Sequence, residues 1–586
     1  MEKWFVQAKK ADFNQIAAKF QIDPVTARLI RNRDVITEEE IQLYLHGDIS
    51  NLHNPATMKD IERAVQIVKE KIAEKKKIRI IGDYDIDGVN ATYVLLTGLT
   101  RCGAIVDIDI PDRIKDGYGI NESIIQKAYD EGIDTIITCD NGIAAIAQIN
   151  FAKELGMTVV VTDHHEVPFV EEEGLKTYLK SNADAIINPK QKECDYPFSE
   201  ICGATVAYKV IECLYREYEI SVSELHELIV YVAIATIGDV MDLKNENRII
   251  VKEGLKRLKQ TNNPGLNALM RVNGIEPENI SSYHIGFVIG PCINASGRLD
   301  TAKRALELLC TKDTKEANCI AGDLKALNDS RKALTLKGVE AAIEQVETTT
   351  LKNDKILIIY LPECHESLAG IIAGRIRERY NKPVFLLTKA EEGIKGSGRS
   401  IESYNMFEEM TKCRDVFTKF GGHPMAAGLS LPEEKIEELR ERLNQSTTLT
   451  EEDFVAKILI DTPMPLDYIT ENLIKELSVL EPFGKGNNKP VFAEKEVNII
   501  GAKILGKNKN VIKMQVLNKQ GFYMEAMYFG SVELFEQYVI EKFTREQLEF
   551  LYMSKENNVV LSLTYYPTIN SYGGKTSLQI IIQNFQ

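Results

Sequence analysis

Apolar residues at Ile61, Ala64, Val65, Val68 and Ile72 fall on one face of a helix. The β-branched run from Ile78 to Ile81 follows and predicts a buried strand. From there the pattern alternates. Strand-like runs cover residues 104–110, 135–138, 158–162 and 185–187, with helical stretches after Asn121 and Gly142. Strand, crossover, strand at this spacing predicts a doubly wound parallel sheet. A more distant apolar segment, Val230 to Ile237, is read as ending at the same sheet edge.

Between residues 314 and 346 the apolar positions Ile320, Leu324, Leu327, Leu334, Val339, Ala342 and Ile343 are helical. A helix of that length reaches on the order of 50 Å, enough to bridge two domains. A second α/β unit opens with the run from Lys355 to Tyr360. Towards the C-terminus, alternating runs at 511–517, 523–528, 559–566 and 578–582 predict a small all-β barrel or sandwich. Residues 1–50 read as short helices and loops without evident chemistry. The predicted organisation is a helical segment (1–50), a parallel-sheet domain (51–313), a connecting helix (314–348), a smaller α/β domain (349–450) and an all-β domain (451–586).

Composition narrows the class. A chain of 586 residues needs three or four domains at roughly 150 residues each. No N-terminal apolar h-region is present, so a secretory signal is not expected. The longest apolar run, near Ile229, is far short of the ~20 residues of a membrane span. Ten cysteines without a C-x-x-C pair fit reduced thiols in a cytoplasm better than disulfides or zinc. The net charge of −15 excludes coating nucleic acid by bulk charge, but it permits a local basic channel.

The predicted strands end in chemistry. G-D-Y-D-I-D-G at 82–88 places Asp83, Asp85 and Asp87 within five residues, a repulsive cluster that seldom folds without a cation. C-D-N-G-I at 139–143 supplies Asp140, D-H-H at 163–165 supplies His164 and His165, and I-G-D-V-M-D-L at 237–243 supplies Asp239. Singly, Asp140 or Asp239 would pass as a helix cap and a lone His as structural. Four clusters at one sheet edge imply a shared ligand. Asp and His donors without thiolate suit manganese or magnesium. Their number exceeds one ion and fits two about 3.5–4 Å apart with a bridging carboxylate, the arrangement of in-line phosphoester hydrolysis. Two glycine-rich motifs, at 396–400 and 421–428, are read as anion-binding loops, and Arg399 adds a bidentate phosphate donor. Phe522, Tyr523, Tyr528, Tyr565 and Tyr566 are candidates for stacking on bases, although each singly reads more readily as core.

These motifs, with P-D-R-I-K-D-G-Y-G at 111–119, N-A-S-G-R-L at 294–299 and L-E-P-F-G-K-G-N at 480–487, resemble the DHH phosphoesterase superfamily, and in that order its single-strand-specific 5′→3′ DNA exonucleases. The resemblance implies a DHH domain, a DHH-associated domain and an OB-fold, with two divalent cations, manganese or magnesium. It makes Asp83, Asp85, Asp87, Asp140, His164 and Asp239 the metal ligands, Asp140 the bridge, and His165 a contact to the scissile phosphate or attacking water. It places Arg113 and Tyr118 along the entering strand, Arg298, Ser397 and Arg399 on phosphates including the 5′ end, and His365 and His423 along the cleft. Position 81 is Ile where some relatives have a metal-binding His, and residues 363–370 depart from the aromatic-containing form expected there. The implied partners are single-stranded DNA and, from the resemblance alone, a single-strand-binding protein, a RecQ-type helicase or a mismatch-repair factor, with the chain a cytoplasmic monomer. Two other readings stand beside the exonuclease: a phosphodiesterase of short oligonucleotides or cyclic dinucleotides, and a non-catalytic DNA-binding scaffold.

Overall fold

The computed structural model describes residues 2–586 apart from 114, 115, 117, 118, 173, 174, 391, 392 and 573. The chain divides into two compact units, one of residues 52–241 and 249–456, the other of residues 2–51, 242–248 and 457–586.

The first unit holds the expected parallel sheet. Its strands lie in the order Ile105–Asp109, Lys77–Ile81, Thr135–Cys139, Thr158–Thr162, Ala185–Ile187, and every pairing is parallel. The central strands are buried on both faces, which is why they read as unbroken β-branched runs. The chain begins at Lys77–Ile81, builds one edge with Ile105–Asp109, then returns to build the other. The winding therefore reverses between Lys77–Ile81 and Thr135–Cys139, and a crevice opens at the carboxyl ends of these two strands.

One expectation of the sequence fails here. The segment Val230 to Ile237 is not at the edge of the sheet as a strand; it forms the body of the helix Ile229–Gly238. Residues 229–236 are all buried, so the helix is apolar all round and shows no periodicity that would separate it from a buried strand. It packs on the helix Ile86–Arg101, where a Cβ at Gly238 would lie 2.5 Å from Ile86 Cγ2.

The predicted connecting helix spans Thr314–Thr348, capped by Asp313, whose carboxylate accepts the amides of Lys315 and Glu316. Beyond it, a mixed sheet runs Lys419–His423, Ala426–Leu431, Ile394–Arg399, Val384–Lys389, Leu357–Tyr360, with only the last pair parallel. Its strands contain much of both glycine-rich motifs, which corrects the reading of these as loops. Gly398 stays within a strand because its missing side chain admits neighbours: a Cβ there would lie 2.9 Å from Phe385 Cε1 and closer still to Met406 Sδ.

In the second unit the strand Lys3–Val6, absent from the helical reading of residues 1–50, pairs in parallel with Lys457–Ile460. The strands Phe492–Leu505, Val511–Leu517, Tyr523–Tyr528, Lys575–Phe585 and Val560–Tyr572 follow one another, and the last returns to pair with the first, closing a barrel. Two helices, Val532–Lys542 and Arg545–Tyr552, interrupt it, so the region is β-rich with a helical insertion. Tyr528, Tyr565 and Tyr566 fill the barrel core and Phe522 packs against it; of the five aromatic candidates only Tyr523, 46% exposed, turns to solvent. Among the described residues no helix is long and apolar enough to cross a membrane.

Candidate metal centre and phosphate cleft

The acidic turn is built by backbone geometry. Asp85 caps the helix Ile86–Arg101, its carboxylate accepting the amides of Asp87 at 2.9 Å and Gly88 at 3.1 Å. That turn requires Gly88, since a Cβ there would lie 2.4 Å from Asp83 O. Asp87 faces inward and accepts the amides of Gly203 (2.6 Å) and Ala204 (2.8 Å), at the start of the helix Gly203–Glu217. Two backbone donors at the N-terminus of that helix fix the position of this carboxylate.

On the neighbouring strand, Asp140 has a φ of 60°, a left-handed conformation that turns its carboxylate back across the sheet edge. Its Oδ1 lies 3.1 Å from His164 Nε2, which in turn lies 3.5 Å from Asp87 Oδ2 and 3.7 Å from Asp239 Oδ2. Asp239 follows the last turn of Ile229–Gly238, and Val240 beyond it holds a φ of 57°. A β-branched residue adopts that conformation only under constraint. Three groups of donors result: Asp83, Asp85 and Asp140; Asp140, His164 and His165; Asp87, His164 and Asp239, with the ligand atoms of each within 4.8 Å of one another. Asp140 belongs to two of them and His164 to two.

The electrostatics call for cations. Burial, with repulsion from Asp85, pushes the Asp83 carboxyl well above the usual range, and burial with the charge of Asp87 raises Asp85. Burial and four facing carboxylates push Asp140 well up. Among the described residues Asp83 Oδ1 is buried without a hydrogen-bond donor. An all-oxygen and imidazole donor set with this charge deficit fits hard divalent cations.

Asp163, the first residue of D-H-H, turns out to organise the other two. Its Oδ1 accepts the amides of His164 (2.7 Å) and His165 (3.1 Å) and lies 2.7 Å from His165 Nδ1, while Oδ2 accepts the Ile143 amide. Burial opposes a charge on His165, but the hydrogen bond to Asp163 wins and raises it to about 9. Sequence reasoning passed over Asp163 as a site residue, and nothing in the sequence pointed to Gly203.

The phosphate candidates gather around residues 367–370. Arg298 Nη1 donates to Ser367 O at 2.7 Å, and burial beside Arg113 and Arg331 lowers its guanidinium to about 10. Arg399 Nη1 donates to Ser397 Oγ at 3.0 Å, and a Cβ on Gly370 would come within 2.6 Å of Arg399 Nη2 and 2.9 Å of Ser397 Oγ. His365 Nδ1 lies 2.8 Å from Ser367 Oγ. Arg113 covers the Tyr84 ring at 5.0 Å. His423 is exposed at the end of its strand, in register through Ala426 with Arg399. Tyr118 lies outside the described residues. Ile81 is fully buried in a core cluster with Ile125 and Ile136, and the nearby Asp83 belongs to a donor group with Asp85 and Asp140.

Fold and site together define a metal-dependent phosphoesterase of the DHH class. Models of the DHH family N-terminal domain, the DHHA1 domain and the RecJ OB domain match residues 77–236, 353–448 and 460–584. The chain is 31% identical to the single-stranded-DNA-specific exonuclease RecJ of Haemophilus influenzae over 583 residues, 95% of each chain. It is 37% identical to the Bacillus subtilis RecJ over 539 residues, 91% of this chain and 66% of that one. The crystal structure of Thermus thermophilus RecJ in complex with Mn2+ superposes with a TM-score of 0.81 at 25% identity, covering 100% of this chain and 79% of that one. The chain belongs to the RecJ family.

Proposed function

We propose that this chain is an exonuclease that hydrolyses single-stranded DNA from the 5′ end, releasing mononucleotides. The observation that carries the reading is the shared position of Asp140 between two donor groups at the switch point of the sheet. Asp83, Asp85 and Asp140 would hold one cation, and Asp87, His164, Asp239 and Asp140 a second. Bound divalent cations supply Lewis acidity and a lowered pKa for the attacking water.

The chain's own residues do the rest. Asp163 fixes the His165 ring and keeps it charged, so that Nε2 donates to the scissile phosphate and offsets charge that grows during attack. Arg298, Ser397 and Arg399 hold the terminal 5′ phosphate, which sets the register of the strand one nucleotide from the cut. A narrow cleft of this kind accepts one strand and excludes a duplex. His365 steadies the 367–370 segment, and His423 lies further along the strand. Support for the substrate comes from the RecJ relatives, whose name states single-stranded DNA. With ten free cysteines the reading belongs in a reducing cytoplasm. It also carries a monomeric enzyme that works beside a single-strand-binding protein and a RecQ-type helicase.

The test is digestion of matched single-stranded and blunt duplex DNA with manganese, with magnesium and with chelator. Degradation of the single strand alone, abolished by chelator, is expected. Equal rates on the duplex, or activity that survives chelation, would overturn the reading.

A further inference from the structure

A cavity of about 650 Å³ opens within the first unit, and none of the residues that line it belongs to the metal centre or the phosphate cleft. Tyr93, Thr97 and Arg101 face it from the helix Ile86–Arg101, one stripe at four-residue spacing. Val230 and Tyr231 face it from the first turn of the helix Ile229–Gly238. These are the two helices that carry the acidic turn and Asp239. The cavity meets them away from those donors. Tyr93 stands six residues after Asp87, about 9 Å of helix, and Tyr231 stands eight before Asp239, about 12 Å. Gly238 seats the second helix directly on Ile86 of the first, so neither shifts alone.

The wall carries cations that the protein leaves unpaired. Arg101 is held by Glu224, through Nε at 2.6 Å and Nη2 at 3.0 Å. Arg257 and Lys312 also line the cavity, and among the described residues neither forms an ion pair. Arg257 Nε is shielded from water and, among the same residues, has no acceptor. A shielded guanidinium N–H without an acceptor is unfavourable, and its planar fork suits phosphate oxygens. With Glu224 engaged, Glu227 is the carboxylate left to oppose these two cations, so the wall keeps a net positive charge. Beside them, the rings of Tyr93 and Tyr231 pack with centroids 4.2 Å apart and give the cavity a flat apolar side. Thr261 and Asn262 add a hydroxyl and an amide at the rim.

We propose that this cavity is a second nucleotide site, which takes a nucleoside 5′-monophosphate and slows the metal centre when filled. The identity of the occupant rests on the proposed function, since a mononucleotide is the product of that reaction. The volume falls in the range of about 300–1,000 Å³ of small-ligand sites and suits one nucleotide rather than a strand. Arg257 and Lys312 take the phosphate, the tyrosine side takes the base, and the rim groups meet the sugar. A ligand that spans the cavity ties the two helices together at a distance from their metal donors. Asp85, Asp87 and Asp239 then have less freedom to follow the changes of charge in a catalytic cycle. Accumulated product thereby restrains further degradation without entering the cleft.

The experiment measures binding of deoxyadenosine monophosphate to the full chain by calorimetry, in chelator so that no cation recruits the phosphate. The wild type should bind at the cavity as well as at the cleft. Arg399→Ala should keep the cavity site, and Arg257→Met/Lys312→Met should lose it. Thr97→Trp, which fills the cavity and removes no charge, should lose it too. Deoxyadenosine and inorganic phosphate should each bind there roughly ten-fold or more weakly than the whole nucleotide. In digestion assays with manganese in excess of nucleotide, wild-type kcat should fall about five-fold at saturation, and excess single strand should not restore it. Without nucleotide the cavity variants should show wild-type kcat and KM; with it, only inhibition that excess strand relieves. Binding that Arg399→Ala abolishes, or that both cavity variants keep, would overturn the site. Equal binding of inorganic phosphate would overturn the nucleotide assignment, and wild-type inhibition fully relieved by strand would overturn the effect on the metal centre. A wild-type chain that fails to degrade single strands would overturn the proposed function and the feedback role, while the calorimetry, done without DNA, still decides the site.

Discussion

Asp140 Oδ1 and His164 Nε2 lie 3.1 Å apart, at the ends of two adjacent parallel strands. The carboxylate is a member of both the Asp83–Asp85 group and the His164–His165 group. Asp140→Ala should lower kcat by about two to three orders of magnitude or more, because the negative charge common to both groups is lost. Circular dichroism and single-strand binding should stay near wild type, since the sheet does not depend on that carboxylate. Near-normal turnover would remove the two-cation assignment.

Asp83 and Ile81 are two residues apart and should behave as opposites. Ile81 is part of the core, so Ile81→His buries an imidazole without a partner and should cost about 1–3 kcal/mol of stability. Asp83→Ala should leave melting temperature unchanged or higher and reduce activity severely. Thermal melts paired with initial rates separate the two effects. Mild and equal losses of activity would place Asp83 outside the ligand set.

Stability of the metal-free protein should fall as pH rises. Asp83, Asp85 and Asp140 have folded-state pKa values raised above those of the unfolded chain. The folded state therefore binds more protons, and its advantage is lost as pH rises from the ordinary carboxylate range through the raised values. Added manganese or magnesium reverses this, since cations take the ionised carboxylates and stabilise more at higher pH. Melts with and without chelator at pH 5, 7 and 9 measure it; a metal-free melting temperature that climbs over that range would contradict the account.

Gly203 and Gly322 make a matched pair. A Cβ at Gly203 would lie 2.8 Å from Asp140 Cβ, whereas none within 4 Å meets one at Gly322 on the exposed side of the long helix. Gly203→Ala should displace Asp140 and weaken both metal response and kcat at least ten-fold. Gly322→Ala should raise stability by about 0.5–1 kcal/mol and leave activity alone. Titration of activity with manganese, alongside denaturant unfolding, distinguishes them.

Much of this candidate site was legible because its acidic and imidazole residues punctuate strands. Asp83, Asp140 and His164 stand where β-branched runs stop, and a parallel sheet turns such ends to one edge. Asp239 was found for its chemistry but on the wrong element, since a helix buried on every side has the same unbroken apolar look as a strand. Gly203 was invisible because its role is to be absent beside Asp140, a contact between residues sixty-three positions apart in sequence. The glycine motifs misread as loops show the same limit: Gly398 answers to Phe385 and Met406 across the fold, not to its neighbours in the chain. The barrel aromatics went the way propensity favoured, with Tyr565 and Tyr566 in the core.

Polarity tests the central claim most directly, because the proposed reading has Arg298, Ser397 and Arg399 hold the 5′ phosphate while Asp140 is shared between the two donor groups at the cut. The measurement is release of label from linear single-stranded DNA carrying it at the 5′ or the 3′ end, with a circular single strand of the same sequence alongside. Immediate release of a labelled mononucleotide from the 5′ end, delayed release from the 3′ end and an intact circle are predicted. Degradation of the circle, or label leaving first from the 3′ end, would contradict the account.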